Sequence, residues 1–268
     1  MTALLLRLAG PMQSWGTQSR FTQRDTGMEP SKSGIVGLLC AALGMPRDAD
    51  RVEHGGRRII LAELAALPMA VRVEREGRVE RDYQTVGGWH LRADEVRRYG
   101  VAQAGGGVRT VESERFYLAD ADFLVGLEGE AGLLTHLHAA LQSPCWQLSL
   151  GRKSFVPALP IYVPQIPSHY GPPIREMPLL DVMHDEPWRI RRGNECVPKR
   201  LRLVYDLDST GARGSDETAV QARRQDVPVS FAIARREYRA RTVAITTIPN
   251  PSFAEKGGEP DVSLPVAR

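Results

Sequence analysis

The stretch TALLLRLAGPMQSWG, residues 2–16, decides how the rest of the chain is arranged. Its first part, Thr2–Ala9, is apolar on both alternating faces except at Arg7, and a short run of this kind predicts a central strand of a sheet. Arg7 is then expected to point from a partly open face. The turn Gly10–Gly16 follows directly, and together with the helix predicted after it we interpret this part of the chain as a platform that grips phosphate.

A helix is predicted from about Ser31 to Gly44. Pro30 precedes Ser31 and Ser33, either of which can accept a backbone N–H as the N-cap, and an apolar body follows. Lys32 stands in the first turn, where a cation opposes the helix dipole by about 0.3–1 kcal/mol unless something negative lies beside it. Free N–H groups and a lysine at a helix start form a ready phosphate site, although a solvated lysine fits the same pattern.

The composition is that of a folded protein with an uneven charge distribution. Of its 268 residues 42% are hydrophobic, which is enough for a core in one or two domains. Residues 1–47 hold five basic and two acidic side chains, residues 188–241 hold thirteen and seven, and residues 116–187 hold three and eight. Arginine supplies 31 of the 35 basic residues, which suits phosphate recognition, although a GC-rich genome would produce the same ratio. The clustering of the basic residues favours an anionic partner.

The sequence does not resemble a secreted, membrane or zinc-binding protein. Cys40, Cys145 and Cys196 are far apart and form no Cys-x-x-Cys pair, so reduced thiols in a cytoplasmic protein are expected. No basic leader precedes the first apolar run, which argues against a signal peptide. No stretch approaches the roughly 18 apolar residues of a membrane span, and no membrane contact is expected.

The order of the predicted elements is typical of a ferredoxin-like, RNA-recognition-like α+β domain. After the first strand and helix come a short helix at 59–67 and strands at 69–76, 78–86, 108–117 and 117–127. A helix at 131–141 and a fourth core strand near 154–163 complete the pattern. The part between 87 and 108 is a charged, glycine-rich excursion from the sheet. Further on, proline becomes frequent, and strands are predicted only at 201–206, 229–234 and 238–248.

A short basic turn, LGRKS, occupies residues 150–154. The phosphate loop of an NTPase needs glycine directly before the lysine, but Arg152 stands there. Nucleotide hydrolysis is therefore excluded. What remains is a turn that can clamp a phosphate or simply lie exposed.

No catalytic set is predicted. His136 and His138 lie two residues apart on a predicted helix and so face different sides. The pairs Asp120/Asp122 and Asp206/Asp208 leave a two-metal site open, although acidic pairs at strand ends are common. We therefore assign no catalytic residue, no metal and no cofactor.

Several motifs in the chain occur together in one known family. They are Leu8-x-Gly10-Pro11-Met12-Gln13-x-Trp15-Gly16, Pro30-Ser31-Lys32-Ser33-Gly34-x-x-Gly37-Leu38, Arg81-Asp82-Tyr83-Gln84-Thr85, Tyr117-Leu118-x-Asp120-Ala121-x-Phe123, Leu150-Gly151-Arg152-Lys153-Ser154 and a weaker Arg224-x-Asp226-x-Pro228. This set resembles the CasD family, a subunit of type I-E Cascade, the bacterial CRISPR surveillance complex. The family often has His in place of Gln84. The resemblance covers residues 1 to about 240 and is loose over 165–220.

The resemblance implies an RNA-binding subunit without catalytic activity. Residues 1–86 and 109–164 would form the ferredoxin-like domain, with a β-hairpin thumb inserted at 87–108. A loop-rich, partly β region would follow at 165–248, and a flexible tail at 249–268. Such a subunit holds the 5′ handle of CRISPR RNA and helps to assemble Cascade for target DNA interference. Its partners would be the CRISPR RNA, the repeated backbone subunit and the large PAM-reading subunit, with target DNA contacted indirectly.

The resemblance also implies where the RNA would lie. Carried over by position, the RNA-binding residues would be Gly10, Pro11, Gln13, Ser14, Trp15, Lys32, Ser33, Arg152, Lys153 and Ser154, with Arg109 added for its place in the thumb. Trp15 could stack on a splayed base, worth about 1–3 kcal/mol, or could instead be a buried anchor of its turn.

Two other functions remain open at this point. Type I-C relatives cut precursor CRISPR RNA without metal, using a tyrosine, a lysine and a histidine. In this chain no histidine neighbours a lysine, and His90 is the only histidine in the predicted thumb. A general RNA-binding protein outside CRISPR is the third hypothesis, if the motif match were accidental.

Overall fold

The computed structural model describes residues 1–16, 22–87, 110–162, 172–188, 197–207 and 219–253. The helices in these ranges are α1 (Lys32–Leu43), α2 (Leu61–Ala66), α3 (Ala131–Gln142) and α4 (Leu179–Asp185). The strands are β1 (Thr2–Ala9), β2 (Met12–Gln13), β3 (Gln23–Arg24), β4 (Arg51–His54), β5 (Arg57–Ile60), β6 (Met69–Arg75), β7 (Arg78–Val86), β8 (Val111–Ala119), β9 (Asp122–Gly129), β10 (Ile174–Arg175), β11 (Arg200–Asp206), β12 (Val220–Ser230) and β13 (Glu237–Pro249).

The main sheet has seven strands in the order β10, β1, β9, β6, β11, β13, β12, and each neighbouring pair is antiparallel. Strand β1 lies inside this sheet, and both of its faces are covered. Leu4, Leu6 and Leu8 pack with the leucines of α1 and α3, whereas Ala3 and Leu5 pack with α4 and with β11. The central position predicted for residues 2–9 is therefore confirmed, and its apolar pattern follows from burial on two sides.

Arg7 does not point from an open face as the sequence predicted. Its side chain is 8% exposed, and its guanidinium forms an ion pair with Asp122 of β9, with Nη2 2.7 Å from Oδ2 and Nε 3.2 Å from Oδ1. The prediction was wrong because the second face of β1 is also covered. A charged group can be buried there only with a partner, and the neighbouring strand supplies one.

Two strand predictions are displaced in the structure. In the range 154–163, only Tyr162 pairs with the sheet within the described residues, through an isolated bridge to Leu6, and β10 follows on the same side of β1. The strand expected at 229–234 ends at Ser230 as part of β12, and a 3-10 turn occupies Ile233–Arg235. Strand β11 pairs directly with β6, so the predicted C-terminal region shares its sheet with the N-terminal strands.

A second, smaller sheet joins the start and the middle of the chain. Strand β8 pairs with β7, β2 and β3, and strands β4 and β5 form a separate hairpin. Apart from Gly87, the predicted thumb at 87–108 lies outside the described residues, as do Arg109 and the tail beyond Phe253. Over the described ranges, none of the helices is both long and apolar enough to cross a membrane.

Candidate RNA-binding groove

A groove of about 730 Å³ opens beside α1, between the turn that follows β1 and the chain segments around Trp146 and Phe231. Its charged lining consists of Arg24, Arg47, Arg152, Lys153 and Arg236, with Asp25 as the acidic member. Four aromatic residues, Trp15, Trp146, Phe231 and Tyr238, also border it. The groove thus combines excess positive charge with aromatic surface, which is the chemistry that binds single-stranded nucleic acid.

Arg152 lies where the positive charge is concentrated. Its Nη2 donates to the carbonyl of Phe116 at 2.8 Å, and its guanidinium lies over the ring of Phe155 at 5.3 Å. Burial lowers the pKa of Arg152, and the nearby Arg115 and Arg24 lower it further. Its Nη1 is buried and has no hydrogen-bond partner among the described residues. An anion bound beside Arg152 would relieve the repulsion among the guanidinium groups.

The turn that presents Arg152 depends on a glycine in front of it. Gly151 has φ +90°, and a Cβ at this position would lie 1.8 Å from the backbone oxygen of Ser14. The same contact region holds a backbone hydrogen bond from Ser14 N to the oxygen of Leu150 at 3.1 Å. The two turns predicted to bind RNA are therefore packed against each other, and only glycine fits between them.

Trp15 is a buried anchor, which decides between the two roles left open by the sequence. Its side chain is 1% exposed, and Nε1 donates to Oε1 of Gln13 at 3.2 Å. Gln13 is also fully buried and donates to the carbonyls of Leu8 and Ala121. The ring packs against Gly34, where an added Cβ would lie 2.8 Å from Trp15 Cε3. These two side chains shape the turn instead of facing the groove with a free surface.

Lys32 is buried, and its ammonium group is paired inside the protein. Nζ lies 2.6 Å from Oδ2 of Asp206, and the backbone N–H of Lys32 donates to Oδ2 of Asp226 at 2.8 Å. Burial lowers the pKa of Lys32, and the charge of Asp206 opposes that shift. The expected role of Lys32 as a phosphate ligand therefore does not match the structure, because an internal carboxylate already occupies that place.

Arg241 completes this cluster, which we call the α1 ion network: Lys32, Asp206, Asp226 and Arg241. Its Nε lies 2.7 Å from Oδ1 of Asp226, and its Nη1 pairs with Asp206. Burial alone raises the pKa of Asp226, but the hydrogen bonds and charge of Arg241 outweigh this and hold the pKa below its ordinary value. The network fastens the start of α1 to strands β11, β12 and β13.

The structure brings together only part of the predicted site. Ser14, Trp15, Ser33, Arg152 and Lys153 border the groove, although Trp15 shows it little surface. The other predicted residues in the described ranges are not part of its lining, namely Gly10, Pro11, Gln13, Lys32 and Ser154. Arg109 lies outside the described residues.

Several groove residues were missed by sequence reasoning. They are Arg24, Arg47, Trp146, Phe231, Arg236 and Tyr238. The excess of basic residues over 1–47 and 188–241 was a signal for the three arginines, but no motif singles out the individual positions.

Three of the four aspartates considered as metal ligands form ion pairs with arginine or lysine. Asp122 pairs with Arg7, and Asp120 pairs with Arg75 at 2.7 Å. Asp206 belongs to the α1 ion network, while Asp208 lies outside the described residues. Within the described ranges, no group of three or more His, Cys, Asp or Glu side chains is placed to hold a metal ion.

The comparisons with known proteins agree on one family. A family model described as CRISPR-associated protein (Cas_Cas5) matches residues 3–244. The CRISPR system Cascade subunit CasD of Escherichia coli (strain K12) is 34% identical over 171 residues, which cover 60% of this chain and 69% of the relative.

Two solved structures are similar over nearly the whole chain. One, described as a crystal structure of a Cas protein, has a TM-score of 0.63 and 36% identity, and the match covers 92% of this chain and 95% of the other. The second is a chain of a CRISPR RNA-guided surveillance complex, with a TM-score of 0.66 and 30% identity, covering 92% and 91%. The groove lies entirely within residues 3–244.

Proposed function

The chain belongs to the CRISPR-associated Cas5 family, and from this premise we propose that it is the Cascade subunit that holds the 5′ handle of CRISPR RNA in a type I-E system. The curated relative is a Cascade subunit, and one solved relative comes from an RNA-guided surveillance complex. The proposed role is to bind the RNA and help to assemble the complex for interference with target DNA.

The observation that supports this proposal most directly is the composition of the groove. Four arginines and one lysine line it against a single aspartate in its described lining, and aromatic residues line it as well. Single-stranded RNA offers a phosphate backbone and unstacked bases, and proteins bind it with basic grooves and aromatic platforms. Arg152 lines the groove close to two further guanidinium groups, and we propose it as a ligand of a phosphate oxygen.

The strand order supports a ferredoxin-like core. In that fold the second and third strands of a βαββαβ unit pair with each other, and the third and fourth flank the first. Here β1, β6, β9 and the short β10 follow that order, and α1 and α3 cover one face of the sheet. We propose that residues 1–86 and 109–164 form most of this core, that β10 from the following region supplies its fourth strand, and that the rest of residues 165–248 extends its sheet.

Strands β7 and β8 lead out to residues 87–108, which we propose as a thumb that reaches toward the backbone subunit. This segment would bring Arg109 close to the RNA. Replacing residues 88–107 by a short turn should leave the melting temperature of the free protein nearly unchanged, because the replaced part would add little to the core. The same variant should fail to assemble with the backbone subunit and RNA. A large fall in melting temperature would instead assign the segment to the core.

We further propose that this subunit is not a nuclease. Among the described histidines, His54 contacts His136 at 2.9 Å, His138 packs against Tyr162, and none of the four lines the groove. The tyrosine, lysine and histidine set of the type I-C relatives therefore has no counterpart in the described groove. Precursor RNA containing the repeat should stay intact with the purified protein, with or without divalent metal. Cleavage that disappears in His90→Ala would favour the endoribonuclease instead.

The proposed direct partners are CRISPR RNA, the backbone subunit and the large PAM-reading subunit, with target DNA as an indirect partner in the cytoplasm. Purification of the natively expressed protein should recover these subunits together with RNA whose 5′ end carries the handle sequence. Recovery of unrelated RNAs without these subunits would support a general RNA-binding protein outside CRISPR.

The groove itself is tested by the salt dependence of RNA binding. The logarithm of the affinity of the full-length protein for single-stranded RNA should fall with log salt by about 0.7 per phosphate contacted. Arg47, Lys153 and Arg236 are exposed in the groove, so changing any one to Ala should reduce this slope by up to about 0.7 without loss of folding. Arg58→Ala, an exposed arginine on β5 outside the groove, is the matched control. A slope near zero for the wild type would refute the groove as the RNA site.

A further inference from the structure

Trp146 is an exposed indole held on a fixed backbone. Its side chain is 48% exposed, whereas the other two described tryptophans, Trp15 and Trp188, are 1% and 8% exposed. Its backbone N–H donates to the carbonyl of Ala41 at 3.1 Å, and that of the preceding Cys145 donates to Ala42 at 2.9 Å. These bonds tie the segment to the last turn of α1, so the ring is positioned by the helix but not covered by it.

The surroundings of Trp146 form an aromatic end of the groove. Phe231 and Tyr238 also line it, and their rings meet edge to face with centroids 6.5 Å apart. The floor beside Phe231 is a glycine, Gly37, whose added Cβ would meet only Phe231 Cζ, at 3.8 Å, within 4 Å. No side chain therefore rises from the floor of the groove at Gly37.

This aromatic end is separate from the end that carries Arg152. The Arg152 turn packs against the turn of Ser14, and the neighbouring Trp15 packs on Gly34 near the start of α1. Trp146 is tied to Ala41, seven residues further along the same helix. At 1.5 Å per residue, these two contact points on α1, Gly34 and Ala41, lie about 10 Å apart along the helix axis. A short run of nucleotides can span that distance with a phosphate at one end and a base at the other.

We infer that Trp146 is a stacking platform for one unpaired base of the RNA, at a fixed distance from the phosphate bound by Arg152. This inference rests on the proposed function, since it assigns a specific nucleotide contact within the same groove. Stacking on an indole face requires a base that is not paired or stacked with its neighbours, so the groove selects a single strand over a duplex. Selection among the four bases at this position would be weak, because each of them has a π-face.

An exposed tryptophan is also typical of a protein–protein contact. The local charge favours RNA here, because Arg47 and Arg236 line the same groove and such cations attract the phosphate backbone. Contact with another subunit is therefore kept as one outcome of the test.

The test uses the full-length protein and a single-stranded RNA oligonucleotide carrying the handle sequence, with a duplex of the same strand for comparison. Affinity is measured at several salt concentrations. Trp146→Ala should weaken single-strand binding about 5- to 150-fold without changing the salt slope, because it removes a stacked base and no phosphate contact. Trp146→Phe should recover most of the affinity. Leu159→Ala, which truncates a 38% exposed apolar side chain outside the groove, should bind like the wild type.

A second measurement locates the base. Single abasic substitutions along the oligonucleotide should identify one position where the loss of the base costs the wild type as much as Trp146→Ala does, and costs the variant nothing more. If Trp146→Ala binds RNA with wild-type affinity and slope, the stacking platform is refuted while the groove stands. If that variant binds RNA normally but no longer co-purifies with the other subunits, Trp146 is a protein contact. If the wild type itself binds no RNA, the proposed function fails as well.

Discussion

Replacing Lys32 by Met separates two roles for the lysine at the start of α1. The sequence alone suggests that it binds a phosphate of the RNA, whereas the structure pairs its ammonium with Asp206 inside the protein. Lys32→Met keeps the length of the side chain and removes the charge. Lys153→Met makes the same change at an exposed lysine of the groove and is the matched control.

The expected loss of stability follows from what the substitution leaves behind. Removing one partner of a buried ion pair typically costs about 3–5 kcal/mol, because the other charge stays buried. In Lys32→Met, Asp206 still pairs with Arg241 and accepts the backbone N–H of Met69 at 3.1 Å, so we expect about 3 kcal/mol. Arg241→Met should cost more, about 5 kcal/mol, because it strips both carboxylates of the α1 ion network of their guanidinium partner.

Thermal unfolding of the full-length variants measures these differences. For a chain of this size, a loss of about 3 kcal/mol lowers the melting temperature by about 6–12 °C. Lys153→Met should change it little, since surface substitutions usually stay within about 0.5 kcal/mol. Lys153→Met should instead reduce the salt slope of RNA binding, which Lys32→Met should not. If Lys32→Met melts like the wild type and reduces that slope by about 0.7, Lys32 faces the RNA and the internal role is refuted.

The acid side of the stability curve provides an independent measurement on the same network. The pKa of Asp226 is held below its ordinary value of 3.8 in the folded protein. A depressed folded pKa adds stability that is fully present above the unfolded pKa and is lost as the pH falls toward the folded one. The gap in stability between the wild type and Arg241→Met should therefore narrow once the pH falls below about 4. A gap that stays constant from pH 7 to pH 3 would show that Asp226 is not the linked group.

Two pairs of glycine substitutions test the packing around the groove. Gly34→Ala would place a Cβ 2.8 Å from Trp15 and should destabilise the protein by about 1–3 kcal/mol. Gly37→Ala lies three residues further on, and no atom comes nearer than 3.8 Å to its added Cβ. This second variant should be neutral or should stabilise the protein by up to about 1 kcal/mol. Equal melting temperatures for these two variants would contradict the contact between Trp15 and α1. Gly151→Ala combines a left-handed backbone with a clash of its Cβ against Ser14 O at 1.8 Å, so it should unfold or displace the Arg152 turn. Gly56→Ala also has a left-handed backbone, with φ +75°, but its added Cβ has open space around it. We expect only about 1–2 kcal/mol of backbone strain for Gly56→Ala, and similar losses in both variants would contradict the packing of the two turns.

The elements that the sequence predicted well are those with long periodic patterns. Strand β1 and helices α1 and α3 each have a largely apolar pattern and local end signals, so their predicted positions hold to within a residue or two. The fourth core strand could not be located in the same way, because in the described part of the chain only Ile174 and Arg175 form it and two residues carry no period. Where pairing is so short, tertiary contacts decide it and the local sequence does not.

The groove was predicted from its backbone turns but not from most of its charges. Lys153 and Arg152 stand in a recognisable motif, whereas Arg47 and Arg236 come from a loop and a turn that are far apart in the sequence. Their convergence depends on how α1 and β13 are placed in the sheet. Net charge over a window of residues shows that cations are frequent, but it carries no information about which of them share a cleft.

For Lys32, the sequence correctly indicated an anion at the start of the helix but identified it as phosphate instead of a carboxylate of the protein. A cation in the first turn of a helix does call for an anion, and the structure supplies two. Both are carboxylates from strands about two hundred residues away in the chain. Asp206 binds the ammonium group of Lys32, and Asp226 accepts its backbone N–H. The consequence for function is that the start of α1, where Ser33 and Gly34 border the groove, is held in place by strands β11, β12 and β13. These strands therefore stabilise the part of the groove that α1 forms. Their loss would leave Lys32 buried without a partner and would release the floor of the groove.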